Sequence, residues 1–220
     1  MQTNEPAYPA YALPERVADG IVHAFGVVLA ITGAVLLIVF AARHGGLGSG
    51  QVAAVSVYGG ALIATFLASA CYHMTPWEGP RPWLRRLDHA AIYLKIAGTY
   101  TPLVVLIGSV FAYSILALVW ALALAGAVVK VFFWSAPGRM APVLYLILGW
   151  LSLALVWPLA MVLPAVPLAL IVAGGLLYTL GVVFFSWESL RFSNAIWHSF
   201  VLAASGCFFA AIALGLQALG

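Results

Sequence analysis

Five histidines and two aspartates carry most of the metal and proton chemistry this chain could perform: His23, His44, His73, His89 and His198, with Asp19 and Asp88. Neutral imidazoles beside a carboxylate suit a divalent transition metal, zinc above all, and histidine is its commonest protein ligand. Three pairs stand four residues apart: Asp19 with His23, Ser69 with His73, and Asn194 with His198. That spacing puts both members of a pair on one face of a helix. A plainer role is open to the same residues, because His and Asp near helix ends also cap helices or bond a neighbour. Residue types and spacing leave both readings standing.

The elements that must position these residues are set by composition. Of 220 residues, 65% are apolar and 7% charged, against about a quarter charged in a soluble domain. Mean hydropathy is +1.11, which excludes a water-soluble catalytic domain and predicts an all-α, polytopic membrane protein. Gaps between charged residues of about 20 apolar positions mark the crossings. They predict a seven-transmembrane-helix bundle with spans at roughly 21–42, 51–73, 89–108, 111–133, 143–163, 167–186 and 194–216. Gly108-Ser109 is the natural tight turn between the third and fourth, and Pro164 and Pro167 break the stretch between the fifth and sixth. Residues 1–20 read as a short cytoplasmic tail and 21–220 as the membrane domain; the opening lacks the basic start of a cleaved signal peptide.

Lys and Arg in short loops hold those loops on the cytoplasmic side. One side receives Arg16, Arg81, Arg85, Arg86, Lys130, Arg139 and Arg191, the other Arg43 alone. The N-terminus is therefore expected in the cytoplasm and the C-terminus outside. The net charge of +3 points to anionic lipid head groups as partners rather than nucleic acid. With this topology His23, His73, Asp88, His89 and His198 share one depth near the inner face, and His44 lies at the outer one. Polar groups inside a bundle are costly unless partnered, so such a cluster reads first as a functional site.

Other residues read more simply. Lys95, seven positions past Asp88, either snorkels to the inner face or pairs with Asp88. Pro102 and Pro158 fall inside spans and are expected to kink them. Cys71 and Cys207 both lie within spans, so no disulfide framework is implied. Trp77, Trp83, Trp134, Trp187 and Trp197 fit interface anchors.

The ordered set of Glu15, Asp19 and His23, then Ser69-Ala-Cys-Tyr-His73, Arg86-Leu-Asp88-His89 running to Ile96-Ala-Gly-Thr-Tyr-Thr-Pro102, and Asn194-Ala-Ile-Trp-His198, resembles the hemolysin III family. This is the bacterial branch of the progestin and adipoQ receptor superfamily, which also contains the adiponectin receptors. The resemblance covers essentially the whole chain. It implies seven helices and a Zn²⁺ ion near the cytoplasmic face, held by the His of a Ser-x-x-x-His motif on the second helix and two His of a His-x-x-x-His motif on the seventh. Carried over by position, His73 and His198 are metal ligands, Asp88 holds the zinc-bound water, and Ser69 lies beside the site.

The chain departs from that pattern at Asn194, where the family's motif has its first helix-seven histidine, and at Asp19, where the family has Asn. Three arrangements follow: a site of His73, His198 and Asp88 completed by water, a substitute ligand from His23 or His89, or a site without metal. Two function classes also stand. One is zinc-dependent hydrolysis of a lipid amide with Asp88 as proton acceptor. The other is a non-enzymatic membrane protein, pore-forming or regulating membrane state. Few intramembrane charges and no amphipathic pore-lining helix weigh against a wide channel, and the Asn194 departure weighs against an efficient enzyme.

Overall fold

The computed structural model describes residues 11–133, 141–187 and 189–218. Trp134, Arg139 and the first ten residues of the expected tail lie outside them. Helices α1 (Leu13–Arg43), α2 (Ser49–Met74), α3 (Arg81–Ile107) and α4 (Val110–Phe132) are followed by a composite span, then α7 (Ala165–Ser186) and α8 (Ser193–Gln217). The composite span is α5 (Ala141–Trp150), a 3₁₀ turn (Leu151–Leu155) and α6 (Val156–Val162). Seven segments are long and apolar enough to cross a membrane, as the charge gaps predict, and no strand occurs among the described residues. Exposed Leu36, Val128, Trp157, Met161 and Val166 give the outer surface the apolar character a lipid-facing bundle needs.

The helices begin earlier than the charge gaps place them. α1 starts at Leu13 rather than near residue 21, and α3 at Arg81 rather than His89. Charged residues at an interface continue a helix whose hydrocarbon part starts later. Pro14 and Pro82 sit in the first turns, where a missing N–H costs nothing. Glu15 closes the first turn of α1 by accepting the Ala12 N–H at 2.9 Å.

Small residues set the packing. The buried face of α1 runs Asp19, His23, Gly26, Ala30, Ala34, Leu37 and Ala41, steps of three and four that make one stripe. A Cβ on Gly59 of α2 would lie 2.9 Å from Ala34 Cβ, and one on Gly98 of α3 would lie 2.6 Å from Ala61 Cβ. The same stripe that seats α1 on the bundle therefore aims Asp19 and His23 inward. α3 is the most enclosed span, 61% of its apolar window being buried against 17% for α4 and α7. It packs on α2, α4, α8 and the composite span.

Turns and breaks follow local chemistry. Gly108 caps α3 with φ +67°, and Ser109 caps α4 by accepting the Ala112 N–H at 3.2 Å. This is the turn expected at Gly108-Ser109. Pro102 lies inside a continuous α3. The fifth span breaks at Leu151–Leu155, just before Pro158, whose ring cannot sit over a normal carbonyl four residues back. The Tyr100 hydroxyl donates to the Leu148 and Gly149 carbonyls at 3.1 and 2.8 Å, holding that break against α3. Both cysteines are free.

Candidate metal centre

His23, His73 and His198 come from α1, α2 and α8 and meet at one end of the bundle. Ring centroids are 4.3 Å apart for His23–His198, 4.6 Å for His73–His198 and 5.2 Å for His23–His73. One nitrogen from each lies within 4.8 Å of the others, so the trio can hold a metal ion. Ligand nitrogens of a tetrahedral site with bonds of 2.0–2.1 Å stand about 3.3 Å apart, a spacing that lies inside this bound.

The organising group is Asp19, 2% exposed. Its Oδ1 accepts the His198 Nδ1–H at 2.7 Å and lies 3.5 Å from His23 Nδ1, while Oδ2 lies 3.7 Å from His73 Nδ1. One carboxylate thus faces the Nδ1 edge of all three rings. His23 also gives its Nδ1–H to the Asp19 backbone carbonyl at 2.8 Å. Its Nε2 accepts the Ser69 hydroxyl at 3.2 Å. With their Nδ1 protons donated, His23 and His198 keep Nε2 as the lone-pair nitrogen. Carboxylate-oriented imidazoles of this kind are the usual support of zinc ligands.

Asp88 stands on the other side of the trio. Its Oδ2 is 4.0 Å from His73 Nε2 and 3.5 Å from His89 Nδ1. His89 gives its Nδ1–H to the Arg85 carbonyl at 2.9 Å and stays outside the three-histidine group. Asn194 donates from Nδ2 to Asp19 Oδ2 at 3.2 Å and to His73 Nδ1 at 3.0 Å, so it lies in the layer around the rings. The third imidazole comes from His23. His44 caps the far end of α1 against Phe40, 21 residues and about 30 Å from His23.

Glu15 fixes the register of α1 against α8. Its Oε1 accepts the Phe192 N–H at 2.9 Å, and Phe192, just before α8, has the left-handed φ of 61°. The bond aligns Asp19 and His23 with Asn194 and His198.

A cavity of about 1010 Å³ runs from this cluster into the bundle. His23, Ser69, His73, Asp88, Asn194 and His198 line its polar end, and Leu103, Leu155, Ile171 and Phe208 part of its apolar remainder. Lys95 also lines it. It neither snorkels nor reaches Asp88: the residue is 7% exposed, and its Nζ donates to Ser205 Oγ at 2.7 Å.

His73, His198, Asn194, Asp88 and Ser69, the residues expected at the site from their motifs, all lie at this end. His23, expected only as an alternative ligand, is the third ring of the cluster. The role of Asp19 was signalled only by its place four residues before His23 on the stripe that packs α1, and nothing in the sequence signalled Ser205 or Tyr178.

The family profile described as Haemolysin-III related matches residues 11–209. The chain is 36% identical over 202 residues to the "Hemolysin-3 homolog" of Bacillus subtilis (strain 168), covering 90% of this chain and 93% of that protein. It is 38% identical over 196 residues to "Hemolysin-3" of Bacillus cereus, covering 89% of each. It is 30% identical over 208 residues to the human "Monocyte to macrophage differentiation factor", covering 90% of this chain and 83% of that one.

Proposed function

Because the chain belongs to the haemolysin-III related family, and three imidazoles oriented by one carboxylate open into a lipid-sized cavity, we propose that it is a zinc-dependent membrane hydrolase acting on a lipid amide. The observation that carries this reading is Asp19 facing the Nδ1 edges of His23, His73 and His198. The donor set fits Zn²⁺: three imidazoles are neutral ligands, and Asp19 and Asp88 together balance a divalent charge where water is scarce.

In this reading His23, His73 and His198 hold the ion. When bound, zinc lowers the pKa of a coordinated water towards 7 and polarises a carbonyl. His73 must then carry its proton on Nδ1, and Asp19 Oδ2 is the nearby acceptor. Asn194 would lose its bond to His73 Nδ1 to that proton and keep its Nδ2–H bond to Asp19 Oδ2. Asp88 takes the proton of the attacking water and delivers it to the leaving amine. With His23 Nε2 given to the ion, the Ser69 hydroxyl would be released from it and would offer a polar contact at the cavity mouth. The apolar remainder of the cavity receives the acyl chain.

The excess of Lys and Arg at the site end, Arg16, Arg81, Arg85, Arg86, Lys130 and Arg191 against Arg43 at the other, supports a cytoplasmic site and an N-terminus inside, in the plasma membrane of a bacterium. Cysteines introduced at Gly79 should be labelled from the cytoplasm and those at Gly45 from outside.

The functional test uses purified protein in detergent with a long-chain N-acyl amide radiolabelled in its acyl chain. We expect one zinc per chain by elemental analysis, fatty acid release in the zinc-loaded protein, and loss of release with chelator or in Asp88→Asn. Absence of stoichiometric zinc would overturn the reading. The name "Hemolysin-3" borne by the Bacillus cereus relative raises a pore-forming alternative. Dye-loaded liposomes carrying this protein should stay tight; leakage would favour the pore.

A further inference from the structure

Lys95 stands midway along α3, about 10 Å of helix beyond Asp88, and its ammonium is enclosed. Its bond at 2.7 Å goes to Ser205 Oγ on α8. The rings of Phe66 and Tyr178 lie 5.0 and 5.1 Å from Nζ, distances at which ring faces attract a cation. No carboxylate pairs with Lys95 among the described residues. Ser205 gives its own hydrogen to the Val201 carbonyl at 2.6 Å, so it accepts from Lys95. The Tyr178 hydroxyl stands 3.0 Å from the same Oγ. The arrangement is a single positive charge with donors to spare, unmatched by any anion among the described residues, in a low-dielectric interior where an uncompensated charge is expensive.

The space around it selects what would neutralise it. Lys95 and Tyr178 line the cavity, as do Phe66, Leu103, Leu155 and Ile171. Beyond Lys95 the lining on α3 continues through Ile96, Thr99 and Tyr100 to Leu103, about 12 Å further along the helix. A small inorganic anion would meet the charge and leave apolar walls unfilled. A phosphate monoester brings nearly two negative charges to one ammonium, leaving the excess buried. A carboxylate brings one charge and two acceptor oxygens, and an alkyl tail fills the walls.

We propose that Lys95, positioned by the Ser205 oxygen to which it donates, binds the carboxylate of a single-chain amphiphile, a long-chain fatty acid whose tail occupies the apolar part of the cavity, with the Tyr178 hydroxyl turning from Ser205 Oγ as a second donor. The site does not depend on the metal centre or on the hydrolase reading. It stands with chelator present.

The test measures binding of tritiated palmitate to the full chain in zwitterionic nanodiscs with chelator, with hexadecanol and hexadecyl phosphate as competitors of equal tail length. We expect saturable palmitate binding, with both competitors at least about tenfold weaker, as loss of a charge-assisted bond predicts. Lys95→Met should weaken palmitate about 10- to 100-fold and erase its preference over hexadecanol. Ser205→Ala, a milder change that tests the site if Lys95→Met fails to yield monodisperse protein, should weaken palmitate several-fold. Lys95→Arg should keep the preference. Equal competition by hexadecanol in the parent protein, preferred binding of hexadecyl phosphate, or unchanged palmitate affinity in Ser205→Ala would each overturn the proposal.

Discussion

One cavity holds two polar stations that are built on opposite plans. At the bundle end, Asp19, Asn194, Ser69 and three histidines on α1, α2 and α8 satisfy one another across helices. In the middle, Lys95 has one hydroxyl and two ring faces. The end cluster is a closed network in which removing one member strands others, so its cost falls on neighbours as well as on itself. The central station is open, and its removal strands only a serine that already bonds backbone. Polar groups in a membrane protein thus divide into those that hold one another in place and those kept short of partners.

The sharpest way to break this contrast is His73→Ala, which removes one of three imidazoles. Zinc affinity, read by competition with a chromogenic chelator, should fall by more than the roughly 10–100-fold typical of a supporting group. An unchanged affinity would mean that the three rings do not act together. Asp19→Ala comes next. It leaves the His198 Nδ1–H and one Asn194 N–H unpaired, at about 1–3 kcal/mol for each buried donor. It should lower the thermal midpoint in detergent and also weaken zinc about 10–100-fold. A smaller effect is expected for Asn194→His, under about tenfold in zinc affinity, because His23 already supplies the third ring; a large gain would instead make residue 194 the natural ligand position. Smallest is Lys95→Met, whose thermal midpoint should match or exceed the parent's, since an apolar residue of similar volume replaces an uncompensated charge. A fall as large as that of Asp19→Ala would erase the distinction between the stations.

The crossings were legible because hydrocarbon tolerates few charges, so each span writes itself as a gap between them. The helix starts were not, since Glu15, Arg16, Arg85 and Arg86 extend α1 and α3 into the interface. The turn at Gly108-Ser109 was legible from its residue types. The 3₁₀ interruption was not: Pro158 marks its neighbourhood, but Tyr100, some 48 residues upstream of its first acceptor, fixes it. In the site, His73, His198, Asp88 and Ser69 were identified through motifs local to single helices. Asp19 escaped because its decisive bond to His198 spans 179 positions. Lys95 was given two nearby outcomes, and its partner lies 110 positions away on α8. Contacts that depend on which helices become neighbours leave no local trace.

The bond from Glu15 to Phe192 carries a consequence for how the molecule comes into being. α1 is synthesised before every other span, yet the carboxylate of Asp19 finds its donors His198 and Asn194 on α8, the last. Until that helix arrives, the first one holds a carboxylate in the membrane without those two donors, and the histidine cluster lacks its third ring. Biogenesis therefore ends in a ring closure, in which the final span both packs against the first and completes the histidine cluster. A chain interrupted anywhere before α8 inserts without ever acquiring it.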